Sequence, residues 1–351
     1  MSINSHICFK IQITAKSAVF FDEQHKLDRI SELGDPLERL DKAIDWSLFS
    51  ATLNKHLRAE ASGPGGRPPF DYVMMFKILI LQEYFGLRDE RLEFQITDRF
   101  SFMRFLGLQT YSKVPDSNTI WHFRERLKEG NVVRQLFERF NKQLKKHNLI
   151  VNKGKIVDAS IVQVPRQRNT REENQSIKEG EIPESWSGKK RSHKDTGARW
   201  LKKNKLNFYG YKNHIKVDSK SKFVDAYCVT DASVHDSLGV VPLLTKKDRG
   251  QPLYGDNAYS GEPFEEKGSK VKMKNKTHDK GYRGNPLTSK RKKINTTKSS
   301  VRARVEHVFG FLHQATRGLI IRPVGMARAE IKIGLKNLTY NLCRYSFITQ
   351  R

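Results

Sequence analysis

Three carboxylates lie where metal-dependent chemistry on a phosphodiester could use them. Asp158 lies inside residues 155–164, a run rich in β-branched residues, and Asp256 follows the short apolar stretch 252–255. The third, Glu306, lies in a segment with helical periodicity. An acid inside a strand is costly unless it is paired or binds a metal. Two strand carboxylates and one helix carboxylate offer the hard oxygen ligands that a pair of Mg²⁺ ions prefers, with other positions left to water and phosphate.

The element that carries Glu306 is predicted as one helix over residues 301–314, with Ser299 or Ser300 as its cap. Its apolar residues recur at helical spacing: Val301, Val305, Val308, Phe309 and Leu312. Glu306 falls at the border of this apolar stripe, four residues after Arg302. Two interpretations follow: a carboxylate that faces a cleft, or a surface glutamate in a weak salt bridge with Arg302.

The motifs around these acids resemble those of a known family. Asp256 begins Asp-x-Ala-Tyr, and Glu306 lies in Arg-x-Arg-Val-Glu-His-x-Phe-Gly. With Asp158 in a first strand and Asp256 after a fourth, this order resembles the DDE transposases with a ribonuclease-H-like core, closely the insertion-sequence family five group. The resemblance covers nearly the whole chain, through segments 33–38, 208–214, 229–236 and 328–341. The short separation of Asp256 and Glu306 leaves no room for the large β insertion of some relatives.

This resemblance implies an α/β fold, a ribonuclease-H-like mixed sheet flanked by helices, preceded by an all-α helix-turn-helix-like module. It implies that Asp158, Asp256 and Glu306 are the catalytic acids and bind Mg²⁺, with Mn²⁺ as a substitute. The implied activity is transposition: binding of terminal inverted repeats, DNA cleavage and strand transfer. Double-stranded DNA, as transposon ends and as target, is the implied partner of a homodimer in a synaptic complex. Two alternatives are a metal-dependent nuclease without strand transfer and a catalytically silent DNA-binding regulator.

Composition supports a polyanionic partner independently. The 351 residues carry a formal net charge of +27, which favours nucleic acid as the partner. A membrane-surface protein is the competing idea, but Lys77 and Gln82-Glu83 interrupt the most apolar stretch. The three cysteines have no metal-like spacing and no signal peptide pattern is visible. We therefore expect a cytoplasmic, nucleoid-associated protein without a membrane segment.

The first 150 residues are predicted to be helical and to recognise DNA. Residues 1–69 are predicted to comprise an extended arm to about residue 33, one or two helices over 36–57 and a Gly/Pro-rich loop over 62–69. Residues 70–150 are a helical DNA-binding module with helices at 70–85, 89–96, after Pro115, and 132–149. The helix after Pro115 is the candidate recognition helix: its phosphate-binding candidates are Arg124 and Lys128, and its base-edge candidates are Asn118 and His122. The alternative is a helical scaffold with solvated charges.

Residues 151–351 are predicted to form the catalytic domain. A polar, basic insertion at about 166–205 is expected to hold no packed element, and is either disordered or a DNA-contacting loop. Residues 211–217 and 223–230 are predicted as paired strands. The stretch Ser233-Val-His-Asp236 has the form of a capping box opening a helix to residue 244. Asp236 is accordingly assigned to capping and Asp231 to a strand–helix junction. His235 has either a structural role or a role in positioning phosphate or the attacking group.

A basic run separates two of the candidate acids. Residues 266–304 are rich in lysine and arginine, and the candidate DNA contacts there are Lys290, Arg291, Lys292, Lys293, Arg302 and Arg304. A solvated charged loop is one interpretation. The other is a basic segment that leads into the catalytic helix and brings phosphate-binding groups to the active site. A final helix over 326–348 is expected to pack on the sheet.

Overall fold

The computed structural model describes residues 22–57, 68–259, 261–282, 284–314 and 318–350. The predicted arm up to residue 21, and the loop 62–69 apart from its last two residues, lie outside these ranges. Where the arm is described, the prediction of an extended chain is wrong. Residues Asp22–Glu32 form a helix, α1, which packs against a later helix of the N-terminal region.

The N-terminal region is entirely helical over its described residues. The helices that follow α1 are α2 (Pro36–Ala43), α3 (Ser47–Leu57), α4 (Tyr72–Phe85), α5 (Asp89–Asp98), α6 (Phe100–Leu106), α7 (Ser117–Glu129) and α8 (Val132–Lys146). All of the helices predicted between residues 36 and 149 are confirmed, and α6 is an addition. Asp116 caps α7 by accepting a hydrogen bond from the Thr119 amide at 2.7 Å, and Gly86 ends α4 with φ +60°, a conformation that glycine adopts without strain.

The second half is built on a mixed sheet, as predicted. Its strands are β1 (Lys155–Gln163), β2 (Arg199–Lys203), β3 (Leu206–Asp218), β4 (Val224–Asp231), β5 (Pro252–Tyr254) and β6 (Lys274–Asn275). Strand β3 pairs antiparallel with β1, β2 and β4, whereas β1–β5 and β5–β6 are parallel. Because β2 was not anticipated, Asp256 follows the fifth strand of the chain rather than the fourth.

The basic insertion at 166–205 is packed, so the expectation of no packed element is wrong. It forms α9 (Arg171–Glu179), α10 (Gly188–His193) and β2. Trp186 is 7% exposed, and its indole donates a hydrogen bond to Glu173 at 2.6 Å. Glu173 also completes a capping box with Thr170 at the start of α9. A few buried apolar side chains and a well-capped helix order this polar segment.

The residues after β4 differ from the predicted capping box. The helix α11 is short, Asp236–Gly239, and a 3₁₀ turn, Val241–Leu243, follows it. His235 caps α11 by accepting from the Ser237 amide at 3.3 Å. Asp236 instead pairs with Lys212 at 2.8 Å, a partner on β3 that local spacing cannot reveal. Asp231 ends β4 and accepts from the Ser233 amide at 2.8 Å, as the junction role predicted.

The helix of Glu306 begins much earlier than predicted, and it is interrupted. After α12 (Glu262–Val271), α13 spans Ser289–Arg302, a 3₁₀ turn spans Ala303–Val305, and α14 spans Glu306–Gln314. Thr288 caps α13, so Ser299 and Ser300 are not caps. The basic run 290–293 is therefore helical rather than a loop. Helix α13 has no buried residues, so its sequence has no apolar periodicity from which a helix could be predicted.

The last helix joins the two halves of the chain. Helix α15 (Met326–Thr349) packs against β4, as predicted, but also against α2, α4, α7 and α8. One continuous core of buried residues extends from α2 through β1 and β3 to α15. None of the described helices is long and apolar enough to cross a lipid bilayer.

Candidate active site

Asp158 lies on β1, and Asp256 lies two residues beyond the end of the neighbouring parallel strand β5. In the β1–β5 register, Ile156 lies opposite Tyr254, and each acid follows two residues later. Asp158 is mostly buried, with 15% of its side chain exposed, and its Oδ1 accepts a hydrogen bond from the Ala159 amide at 2.8 Å. Asp256 Oδ1 accepts from the Ala258 amide at 2.8 Å. The parallel pairing therefore gives the two acids equivalent positions along β1 and the chain that continues from β5.

Glu306 is the first residue of α14, and Arg302 connects it to Asp158. The Arg302 Nε lies 3.4 Å from Asp158 Oδ2, and its Nη2 lies 3.7 Å from Glu306 Oε1. The Glu306 side chain is 63% exposed. The salt bridge between Arg302 and Glu306, which was the alternative to a catalytic role, is thus present. The same guanidinium also contacts Asp158. A cation lies between two of the three candidate acids.

The electrostatics of Asp158 reflect this crowding. Burial raises the pKa of Asp158 to about 6, while Arg302 and the Ala159 amide lower it and the carboxylates of Asp256 and Glu306 raise it further. The charges of Asp256 and Glu306 therefore act on Asp158. As the side chains stand, no three acidic, histidine or cysteine groups in the described ranges are close enough together to hold a metal ion.

The motif residue Tyr259 supports the loop that carries Asp256. A Cβ added at Gly255 would lie 2.8 Å from the Tyr259 ring, so only glycine allows the strand to pass this close. Tyr259 is 1% exposed, and its pKa is well above 10 because of burial and of the nearby charges of Asp158, Asp236 and Asp256. This neutral phenol packs in the core cluster that contains Val157, the residue before Asp158.

His278 is a neighbour of the site that the sequence did not reveal. Its amide donates to the Gly255 carbonyl at 3.2 Å, and its Nε2 lies 3.1 Å from Ser299 Oγ. The pKa of His278 is lowered, first by burial and then by Arg302 and Lys298, against the opposing charges of Asp256 and Asp279. A single histidine in a lysine-rich stretch has no distinguishing sequence signal. Only the pairing of β5 with β6 brings it to the acids.

The candidate DNA contacts near the acids lie in two settings. Lys290, Arg291, Lys292 and Lys293 are all exposed on α13. Arg302, at the end of that helix, lies between Asp158 and Glu306, whereas Arg304 donates from Nη1 to the Ser219 carbonyl at 2.8 Å. Helix α13 thus leads from an exposed basic surface to the candidate triad.

The candidate contacts on α7 are divided between surface and interior. Asn118 and His122 are exposed. Arg124 is only 10% exposed at its side chain and pairs with Asp89 at 2.6 Å, so its charge is used within the helical region. Lys128 pairs with Glu125 at 2.9 Å. The structure therefore connects Asp158 and Glu306 through Arg302 and places Asp256 just after the strand that pairs with β1, while the α7 residues lie on a separate helix.

Comparison with known proteins assigns the family. Residues 25–126 match the model of a transposase domain (DUF772), and residues 152–342, more than half of the chain, match that of the transposase DDE domain. The chain belongs to the DDE transposase family, as the motif resemblance predicted, and its function is that of a transposase. A solved structure, the cryo-EM structure of a piggyBac transposase synaptic complex with hairpin DNA, is similar at 13% identity and a TM-score of 0.46, over 89% of this chain and 75% of that one.

Proposed function

We propose that this transposase binds the terminal inverted repeats of an insertion sequence, cuts the DNA at those ends and joins the ends to target DNA. The observation that supports this proposal is that Arg302 contacts both Asp158 and Glu306, while Asp256 follows the strand that pairs with the strand of Asp158, all within a DDE domain. We assign these three residues as the catalytic acids.

The donor set fits a divalent metal ion in kind. Members of the family normally use one, and carboxylate oxygens are the ligands that Mg²⁺ prefers, with Mn²⁺ as a substitute. Burial and the nearby carboxylates of Asp256 and Glu306 raise the pKa of Asp158, so a cation bound there would stabilise its charged form. Asp158, Asp256 and Glu306 would hold two ions. Once bound, these would activate water and then the freed 3′ hydroxyl as nucleophiles, and stabilise charge on the scissile phosphate.

The protein's own side chains must rearrange for this. Arg302 must leave the space between Asp158 and Glu306, and it is long enough to turn towards a DNA phosphate instead. Glu306, exposed at the first turn of α14, is free to turn towards the aspartates. The exposed lysines and arginine at 290–293 are then placed to follow the DNA backbone into the site.

Double-stranded DNA, as transposon end and as target, is the proposed partner of a homodimer in a synaptic complex at the cytoplasmic nucleoid. The net charge of +27 supports a polyanionic partner. We propose residues 70–150 as the recognition module, with Asn118 and His122 reading bases, Lys128 binding phosphate, and residues 151–351 as the catalytic domain. Because Arg124 is engaged with Asp89, its contribution to DNA binding requires that this ion pair opens.

The test compares matched acid variants on DNA carrying the inverted repeats that flank the coding region. Glu306→Gln, Asp158→Asn and Asp256→Asn should each reduce cleavage and strand transfer by roughly 10²- to 10³-fold, with native melting behaviour and intact DNA binding. Asp231→Asn is the control, since that acid shapes the end of β4 and should leave most activity. Reactions with Mg²⁺ and Mn²⁺, on intact and on pre-cut ends, separate cleavage from joining.

The outcomes distinguish the alternatives. Nicks without joining of pre-cut ends would indicate a metal-dependent nuclease. Specific binding without any cutting by the wild type would indicate a silent regulator. If folded Glu306→Gln cuts and joins at near wild-type rates, the catalytic role of Glu306 is wrong.

A further inference from the structure

The hydroxyl of Tyr259 is buried and forms no hydrogen bond with any of the described residues. Tyr259 is 1% exposed, and its phenol oxygen is among the buried side-chain atoms of the described ranges that lack a partner. A buried hydroxyl in this state is unfavourable, because it has given up its hydrogen bonds to water. Such groups are rare in folded proteins, and a functional role is one explanation for them. The phenol is a hydrogen-bond donor that this structure does not use.

The chain around Asp256 fixes the position of this phenol. The Tyr259 amide donates to the Asp256 carbonyl at 3.3 Å, and the Ala258 amide donates to the Asp256 carboxylate at 2.8 Å. The Tyr259 ring packs closely on Gly255, where an added Cβ would lie 2.8 Å from it, and its centroid lies 6.1 Å from that of the Phe264 ring. The turn and these contacts hold both the backbone and the ring, so the hydroxyl keeps a fixed position relative to Asp256.

Carboxylates lie near this hydroxyl. Besides burial, the charges of Asp158, Asp236 and Asp256 raise its pKa, with Asp158 contributing the most among the charges. Val157, the residue before Asp158, packs in the same core cluster as Tyr259. A phenol that stays protonated remains a donor, and an ionised carboxylate is an acceptor only. The hydroxyl therefore lies among groups that could accept its hydrogen bond.

Asp158 is the acceptor that a change in the site would make available. Asp236 is held by Lys212, at 2.8 Å. Asp158 Oδ1 accepts from the Ala159 amide at 2.8 Å, whereas its Oδ2 faces the Arg302 Nε at 3.4 Å. An ionised carboxylate has about four acceptor positions. When Arg302 leaves, as the proposed function requires, Asp158 is free to turn and to accept a further hydrogen bond.

We propose that Tyr259 is a positioning residue of the metal site, whose hydroxyl donates a hydrogen bond to the Asp158 carboxylate once Arg302 has left it. This inference rests on the proposed function. The bond would fix the orientation of the carboxylate and leave its remaining acceptor positions to a metal ion. Carboxylates that bind metal ions are usually held by hydrogen bonds of this kind, and the loss of such a partner reduces metal affinity by about 10- to 100-fold.

The experiment replaces Tyr259 by phenylalanine in the full-length protein, which removes the hydroxyl and keeps the ring. Titration of the DNA-free protein with Mn²⁺ in a calorimeter should show an affinity about tenfold below that of the wild type. The melting temperature of metal-free Tyr259→Phe should equal or exceed that of the wild type, because a buried hydroxyl without a partner is removed. Binding of terminal DNA in EDTA should be unchanged.

Tyr209→Phe is the matched control. Tyr209 is also buried, at 5% exposed, but its hydroxyl donates to the Asp195 carbonyl at 2.9 Å. Removal of this hydroxyl leaves a buried acceptor without its donor, so the melting temperature should fall. The Mn²⁺ affinity of Tyr209→Phe should stay that of the wild type. The two variants are thus expected to show opposite patterns of stability and metal affinity.

A second background tests which acid receives the hydrogen bond. Asp236 is the competing acceptor, since its charge also acts on Tyr259, but it is not one of the proposed metal ligands. In the Asp236→Asn protein, Tyr259→Phe should therefore still weaken Mn²⁺ binding by about tenfold. With Asp236 intact, cleavage of terminal DNA by Tyr259→Phe should be slow at limiting Mn²⁺ and should recover at saturating Mn²⁺.

An Mn²⁺ affinity of Tyr259→Phe equal to that of the wild type would overturn the proposal. A clearly lower melting temperature of the metal-free variant would contradict it as well, because the hydroxyl would then have a structural partner. Loss of the effect in the Asp236→Asn background would assign the hydrogen bond to Asp236 instead of Asp158. These results would leave the proposed function in place, whereas a wild type that binds no Mn²⁺ would refute the proposed metal site and this inference together.

Discussion

Replacing Arg302 by glutamine should strengthen metal binding and weaken DNA binding at the same time. In the structure the guanidinium lies 3.4 Å from Asp158 and 3.7 Å from Glu306, where it partly neutralises the acids that we assign to metal ions. An incoming cation must therefore displace it. Glutamine removes the charge but keeps a polar side chain that a helix accepts.

The size of the effect follows from the two contacts. At an effective dielectric constant of about 20, unit charges about 4 Å apart attract by about 4 kcal/mol. Exposure reduces this, since 29% of the Arg302 side chain and 63% of the Glu306 side chain are in contact with solvent, and exposed pairs contribute about 1 kcal/mol or less. The contact with Asp158, which is mostly buried, keeps more of this attraction. We therefore expect that removal of Arg302 favours metal binding by about 1.4 kcal/mol in total. That value corresponds to a gain in metal affinity of about tenfold.

The assay is titration of the DNA-free protein with Mn²⁺ in a calorimeter, next to binding of terminal DNA in EDTA. Arg302→Gln should bind Mn²⁺ more tightly and DNA more weakly than the wild type. Arg322→Gln, which alters an exposed arginine, is the control for net charge, and Glu306→Gln should bind Mn²⁺ more weakly. An Mn²⁺ affinity of Arg302→Gln that is unchanged or reduced, in a protein with native melting behaviour, would refute the role of Arg302 as a competitor of metal.

Two further predictions concern the basic helix and the packing of the sheet. Neutralising residues 290–293 with glutamine should make the slope of log K against log salt shallower by up to about 0.9 for each phosphate contact that is lost, and an unchanged slope would place α13 away from DNA. Gly239→Ala should lower the melting temperature severely, because the added Cβ would overlap the His214 ring. The double variant with His214→Ala should recover part of that loss, and a wild-type melting temperature of the single variant would contradict the packing.

The sequence predicted those parts of the site that rest on local pattern. The β-branched run around Asp158 indicated β1, and the short apolar stretch before Asp256 indicated β5. The pairing of Asp236 with Lys212 and of Arg124 with Asp89 joins residues far apart in the chain. Asp236 pairs with Lys212 instead of capping a helix, and Arg124, a proposed DNA contact, pairs with Asp89. Local sequence spacing cannot predict such partners.

The errors in secondary structure also have a physical basis. Helix α13 buries none of its own residues, so it carries no apolar periodicity to indicate its start. The polar insertion is ordered by Ile177, Trp186 and Ala198, which are 6%, 7% and 2% exposed, together with the capping box at Thr170. The prediction that this segment holds no packed element rested on its polar composition. A few buried groups are nevertheless sufficient to fold a segment against an existing sheet.

Because α15 packs against the N-terminal helices, DNA recognition by those helices should be measured in the full-length chain. Glu83 on α4 is 1% exposed at its side chain and pairs with Lys332 and with Lys336, the latter at 3.2 Å, both on α15. Separating a buried charge from its partners costs about 3–5 kcal/mol, and a fragment ending near residue 149 would leave Glu83 without these lysines. Such a fragment would also expose the part of the common core that α15 covers. Loss of terminal-DNA binding by the fragment would therefore report on unfolding as much as on recognition.

Base substitutions in the terminal repeat, tested with Asn118→Ala and His122→Ala in the full-length chain, address recognition directly because both side chains are exposed and their removal leaves that core intact.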